Sequence, residues 1–192
     1  MSTPLMPNRG MAFIDFDNIN ITARNQHNIR YMDFNKLREV LLKGLRCVGC
    51  TVYLPNKMTN LQPHISKSGL DVRVVNPGKS VDGRLIFDLL TNAYGNGFDT
   101  CVIASGDRDY IPVVQEVKRL NKRVIISSFS SALAHGMSSV ADDVIDLDKH
   151  ITEISQQLSE YACAQCGTKF DLPFKLFAGQ KPLCAQCKKS RP

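Results

Sequence analysis

The chain has 192 residues, of which 43% are hydrophobic and 22% charged, with Gly and Pro at ordinary levels. That composition can bury a core, which excludes wholesale disorder, and the length suits one medium domain with a small appendage. The net charge of +6 is unevenly placed: from Tyr161 onward six bases face a single acid, so the first 160 residues are close to neutral. A near-neutral body joined to a small basic module suits an anionic polymer, with a solubilising tail as the plain alternative. No apolar run approaches the roughly 18 residues of a membrane span, and residues 1–10 lack a secretory apolar stretch. The expectation is a cytoplasmic protein with no membrane partner.

The apolar run 11–14 reads as a first strand, ending in Asp15-Phe16-Asp17-Asn18, and residues 24–31 as a loop beside that acid pair. Asp33 can cap a helix whose apolar positions Phe34, Leu37, Val40, Leu41 and Leu45 recur near every 3.6 residues. Residues 47–54 form a strand stopped by Pro55, with Cys47 and Cys50 read as core thiols rather than a metal pair. A polar stretch, 59–68, can hold one or two helical turns, and 72–75 is a strand stopped by Asn76-Pro77-Gly78. Ser80 caps a helix carrying Val81, Leu85, Leu89 and Ala93, with Gly95 just past its end. Strands at 100–104, 124–126 and 144–145 then alternate with helices at 110–120, 131–140 and 148–158, the last a linking helix over 148–160. This alternation predicts an open, mostly parallel sheet with helices on both faces, an α/β body over residues 10–147.

Cysteine spacing marks the second unit, 161–192. Cys163-x2-Cys166 and Cys184-x2-Cys187 are separated by 17 residues, and each pair can turn two thiolates onto one ion. The intervening stretch is too short for its own core, so a structural Zn2+ is expected to supply the folding energy of a zinc ribbon, with redox-active cysteine pairs as the alternative. Phe170 and Phe174 are expected to pack its core rather than stack on bases. Cys101, in an apolar run, reads as packing.

Sites in open parallel sheets form beyond the carboxyl ends of strands. Two strands here end in acids: the first in Asp15 and Asp17, the fourth in Asp107 and Asp109 of Ser105-Gly106-Asp107-Arg108-Asp109. Asp82 opens the helix after the third, while Asp88 falls on a different face of it. Converging carboxylates repel, and the natural relief is a divalent ion; oxygen ligands without histidine favour Mg2+ or Mn2+. Such an ion can activate water for phosphodiester hydrolysis. Lys79 and Arg84 flank Asp82 and can hold phosphate, and Asn18 can orient a ligand or the scissile phosphate. Singly, Asp82 and Asp109 are also ordinary helix-start acids.

Three segments together resemble the NYN domain, the LabA-like branch of the PIN-like nuclease superfamily. They are Phe13-Ile14-Asp15-Phe16-Asp17-Asn18-Ile19, then Lys79-Ser80-Val81-Asp82 with Asp88 downstream, then Ala104-Ser105-Gly106-Asp107-Arg108-Asp109-Tyr110-Ile111-Pro112. The resemblance covers about residues 10–147 and extends to Ala141-Asp142-Asp143. It implies strand order 3-2-1-4-5 and a metal-dependent ribonuclease. Asp15, Asp82, Asp107 and Asp109 would surround one or two Mg2+ or Mn2+ ions, with Asn18 beside them; Asp17 is less firmly part of the pattern. The implied function is hydrolysis of RNA phosphodiesters, with endonucleolytic cutting as the expected mode. Lys79, Arg84, Ser105 and Arg108 would contact substrate, and the ribbon would aid capture.

Two other readings stay open. Asp15-Phe16-Asp17-Asn18-Ile19 also resembles the opening motif of haloacid-dehalogenase-type phosphatases, but Ile19 stands where Thr or Val is usual and Asp82 has no role there. A non-catalytic RNA-binding or regulatory adaptor would use the same pocket and the same basic ribbon.

Overall fold

The computed structural model describes residues 8–172 and 179–190, so Phe174, Phe177, Lys175 and Arg191 lie outside the described residues. The chain divides into two units, Met1–Ile154 and Ser155–Pro192.

In the first unit, strands β1 (Arg9–Asp15), β2 (Arg46–Pro55), β3 (Asp71–Val75), β4 (Thr100–Ala104), β5 (Arg123–Ser128) and β6 (Asp143–Asp146) form one sheet. Its order is β3-β2-β1-β4-β5-β6 and every pairing is parallel, so the expected five-strand order holds and a sixth strand extends it. Side chains alternate between faces with the strand period of 2. Ala12 and Ile14 of β1 and Val102 and Ala104 of β4 enter one buried cluster; Phe13, Cys101 and Ile103 enter the other.

The first face is covered by α1 (Phe16–His27), α2 (Phe34–Leu41), α3 (Gln62–Lys67) and α7 (Ile151–Ile154). The second is covered by α4 (Val81–Tyr94), α5 (Ile111–Arg119) and α6 (Met137–Val140). Asp33 caps α2 by accepting from Lys36 N at 3.1 Å, and Ser80 caps α4 by accepting from Gly83 N at 3.1 Å, as their spacing predicts.

Four elements differ from the sequence reading. Residues 16–27 are a helix where a loop was expected over 24–31; Asp15 caps it, and Phe16, Ile19, Thr22 and Ala23 bury one face. Cys47 is exposed rather than a core thiol, because β2 becomes buried only from Cys50 onward, past a register shift against Gly10 and Met11. The helix at 131–140 is split into a 3-10 turn, Ser130–Ala132, and α6, with Gly136 left-handed at φ 91° between them. The helical segment after β6 runs as a 3-10 turn, Leu147–His150, into α7 and stops at Ile154 rather than continuing to 158. Ile154 is fully buried in the first cluster, and its carbonyl accepts from Asp33 N at 2.8 Å, which ties it to the start of α2.

The second unit pairs β7 (Ser159–Ala162) antiparallel with β8 (Lys169–Leu172) and ends in α8 (Ala185–Lys189). Its buried residues, among those described, are Cys163 and Cys184; Phe170 is half-buried.

Candidate active site

The carboxyl ends of β1 and β4 and the start of α4 carry a connected set of polar side chains. Asp15 closes β1 and is 6% exposed. Its Oδ1 accepts from Asn18 N at 3.3 Å, while its Oδ2 lies 3.4 Å from both Ser105 Oγ and Tyr110 Oη. Asn18 Oδ1 accepts from Gly106 N at 3.0 Å, pinning the first turn of α1 to the loop after β4. Ser105, fully buried, also accepts from Asp107 N at 3.2 Å. Asp107 Oδ1 accepts from Asp109 N at 3.0 Å and so caps the 3-10 turn Arg108–Tyr110. Tyr110 Oη donates to Asp82 Oδ1 at 2.9 Å, linking the α4 start to Asp15.

Asp15, Asp82, Asp107, Asn18 and Ser105 therefore share one network, with Tyr110 as a member that sequence reasoning missed. Asp109 and Arg108 are exposed at its rim, and Lys79 is exposed in the turn before α4. Arg84 is turned elsewhere: its guanidinium holds Asp88 at 3.0 Å and lies over the Phe87 ring. Asp88 also accepts from Tyr53 Oη at 3.2 Å, which makes it a paired acid of the α4–β2 contact. Asp17 meets Lys57 at 3.4 Å through Oδ2, while its Oδ1 is buried without a hydrogen-bond partner.

The electrostatics separate these acids. Among the described residues, no ion pair reaches Asp15, Asp82, Asp107 or Asp109. Burial, reinforced by the neighbouring Asp82 charge, pushes the Asp15 carboxyl up to about 6 against the opposing bonds from Asn18, Tyr110 and Ser105. Burial first, then the charges of Asp15 and Asp82, raise the Tyr110 phenol well above its usual range, so it stays a neutral donor.

The loop carrying these groups needs its glycine. A Cβ at Gly106 would lie 2.1 Å from the Ala132 carbonyl oxygen and 2.6 Å from Ser128 Oγ, and Ala134 N donates to Gly106 O at 2.9 Å. Gly106→Ala must push the β4 and β5 loops apart. We expect a loss of about 3 kcal/mol in urea unfolding, the upper range for overpacking.

The cysteines meet as the spacing predicts. Among the described residues, Cys163, Cys166, Cys184 and Cys187 are the group of three or more ligand side chains whose atoms all lie within 4.8 Å, a set that could hold zinc. The carboxylates are drawn together less tightly than that. Cys166 Sγ and Cys184 Sγ are 3.7 Å apart. A tetrahedron with Zn–S near 2.3 Å has sulfur–sulfur edges of about 3.8 Å. Gly167, left-handed at φ 72°, turns the chain after the first pair, and its N–H donates to Cys163 O at 2.9 Å. Backbone N–H groups, that of Cys184 first, bring the Cys163 thiol down to about 6. Hydrogen bonds with the Cys166 and Cys184 sulfurs push the Cys187 thiol up to about 12.

No curated protein matches the sequence. Among solved structures, a protein of unknown function from Vibrio parahaemolyticus RIMD 2210633 is similar in fold. Its TM-score is 0.65 at 19% identity, over 77% of this chain and 97% of that one. Among the described residues, no helix is long and apolar enough to cross a membrane. The NYN domain model matches residues 9–148, most of the chain and the whole of the parallel sheet. With that match over the sheet and its acid-bearing edge, the chain belongs to the NYN domain family, within the PIN-like nuclease superfamily.

Proposed function

We propose that this protein is a metal-dependent ribonuclease in which Asp15, Asp82, Asp107 and Asp109 hold Mg2+ or Mn2+ at the carboxyl edge of the sheet. The observation that supports this most is the meeting of Asp15 and Asp82 on one phenol, with no cation among the described residues paired to either. The donor set is all oxygen, which suits a hard cation, and the orphaned Asp17 Oδ1 adds an unmet acceptor in the same turn. When bound, the ion would polarise a phosphoryl oxygen and lower the pKa of an attacking water.

The chain's own residues divide the remaining work. Asn18 spends its carbonyl oxygen on Gly106 N, which leaves its amide nitrogen as a donor for phosphate. Ser105 is buried and committed to Asp15 and Asp107, so it orients the acids rather than touching RNA. Lys79 and Arg108 are the exposed cations at the rim, whereas Arg84 is engaged by Asp88. The four-cysteine unit, with Zn2+ bound, presents Lys181, Lys188 and Lys189 to the phosphate backbone, a sequence-independent attraction.

End-labelled single-stranded RNA incubated with the protein and Mn2+ tests this reading. We expect cutting that stops in EDTA and falls about 100-fold or more in Asp107→Asn. Metal-independent cutting, or an Asp107→Asn protein as active as the parent, would overturn it. RNA binding without cutting would leave an adaptor.

A further inference from the structure

We infer that Tyr110 is a positioning residue of the acid site, whose hydroxyl fixes the separation of Asp82 and Asp15 and thereby sets affinity for the divalent ion. The inference rests on the metal-site reading above and adds a group that the acid pattern does not contain.

Three elements meet at this hydroxyl. Tyr110 ends the same 3-10 turn that carries Asp107 and Asp109, and its N–H donates to Asp107 O at 3.3 Å. From there its ring crosses the fully buried second cluster. Its oxygen emerges 2.9 Å from Asp82 on α4 and 3.4 Å from Asp15 at the end of β1. A phenol has one proton to donate. The shorter contact receives it, and Asp15 is held at the longer distance by Ser105 and the Asn18 N–H. Among the described residues, Tyr110 is the side chain whose hydroxyl lies within 3.4 Å of both acids.

A second buried tyrosine shows what is distinct here. Tyr53 Oη also meets a carboxylate, Asp88, at 3.2 Å, but that acid is already matched by Arg84 at 3.0 Å. The Tyr53 bond therefore supports an ion pair, while the Tyr110 hydroxyl stands between two acids that no side-chain cation among the described residues reaches. Without the phenol, mutual repulsion is free to rotate Asp82 away from Asp15, and a ligand pair would have to be reassembled at each binding event. Hydrogen bonds that hold metal ligands in place are commonly worth 10–100-fold in affinity. Phenylalanine at 110 would keep the ring in its cavity and remove only this bridge.

The test is Mn2+ titration of the full chain, followed by the electron paramagnetic resonance signal of the free ion, for the parent, Tyr110→Phe, Tyr53→Phe and Asp82→Asn. Urea unfolding in EDTA, run alongside, reports stability. We expect Asp82→Asn to lose binding, Tyr53→Phe to match the parent, and Tyr110→Phe to raise the Mn2+ dissociation constant about tenfold or more while remaining folded. Parent-like affinity in Tyr110→Phe, with Asp82→Asn still defective, overturns the positioning role and leaves the metal site standing. An equal loss in Tyr53→Phe, or a Tyr110→Phe chain that no longer folds, assigns the hydroxyl to general packing and also overturns it. A parent that binds no Mn2+ overturns the metal-site reading itself.

Discussion

Zinc removal is expected to unfold the four-cysteine unit, a set that could hold that ion, and to leave the parallel sheet intact. The reason is that the unit's described residues offer no competing source of stability. Among its described residues the unit has two four-residue strands and a five-residue helix, and the buried ones are two of the cysteines themselves. A lone hairpin of that size is marginal in water. Zinc binding in comparable small modules supplies about 10–16 kcal/mol of apparent free energy, which here would be the folding energy. We expect one zinc per chain by elemental analysis, and none in Cys184→Ser. Treatment with a strong chelator should abolish amide protection in β7 and β8 and expose the unit to protease, with cleavage stopping near Ile154, whose side chain is locked in the body's core. Cys47→Ser should not alter zinc content, since Cys47 stands exposed at the start of β2. Protected β7 and β8 amides in metal-free protein would refute this account.

What could be read from the chain, and what could not, follows the range of the forces involved. Helix caps at Asp33 and Ser80 and the cysteine pairs depend on local spacing, and the structure agrees with them; the strand order, a long-range property, is what the resemblance to the NYN domain implies, and it holds too. Helix α1 was illegible because Phe16-Asp17-Asn18-Ile19-Asn20-Ile21-Thr22 mixes β-branched residues with asparagines, both poor helix formers. Its helix is imposed by the Asp15 cap and by burial of Phe16 and Ile19 against the sheet. Cys47 was misread because a register shift lies outside what an apolar run can show.

The site was legible in part for the same reason. Acids at strand ends are a topological signal, and Asp15, Asp82 and Asp107 do join one network. Tyr110 gave no such signal: beside Ile111, Val113 and Val114 it reads as one more core aromatic. Its hydroxyl acquires meaning only when α4 brings Asp82 to 2.9 Å. Arg84 beside Asp82 looked like a phosphate ligand, but the same helix places Asp88 one turn on, and the i,i+4 pair takes it.

The buried carboxylate at Asp15 carries a second large expectation, for stability rather than catalysis. Its folded-state pKa, about 6, stands above the ordinary 3.8 because burial disfavours the charged form. Between those values the native state keeps a proton that the unfolded chain gives up. The resulting destabilisation is absent below pH 3.8, grows as pH rises, and is complete above pH 6. A rise of that size corresponds to about 3 kcal/mol at neutral pH. Asp99 and Glu116, drawn down to about 2 by Arg9 and Arg119, act in the opposite sense below their ordinary 3.8 and 4.5, so above pH 4.5 the decline belongs to Asp15. In EDTA, unfolding free energy is therefore expected to fall by about 3 kcal/mol between pH 4 and pH 7 from this group. Asp15→Asn, which keeps an acceptor for the Asn18 N–H, should flatten that slope and stabilise the protein at pH 7.5 by about 2–3 kcal/mol. Mn2+ should stabilise the parent at pH 7.5 more than Asp15→Asn, because the variant loses one of the four carboxylates proposed to hold the ion. Urea unfolding across pH, with and without Mn2+, measures all three; a parent whose stability does not decline over that range would show that Asp15 ionises in the fold without cost. The acid that makes the site is in this account the one that strains the fold, and the cation that would serve the chemistry also relieves it.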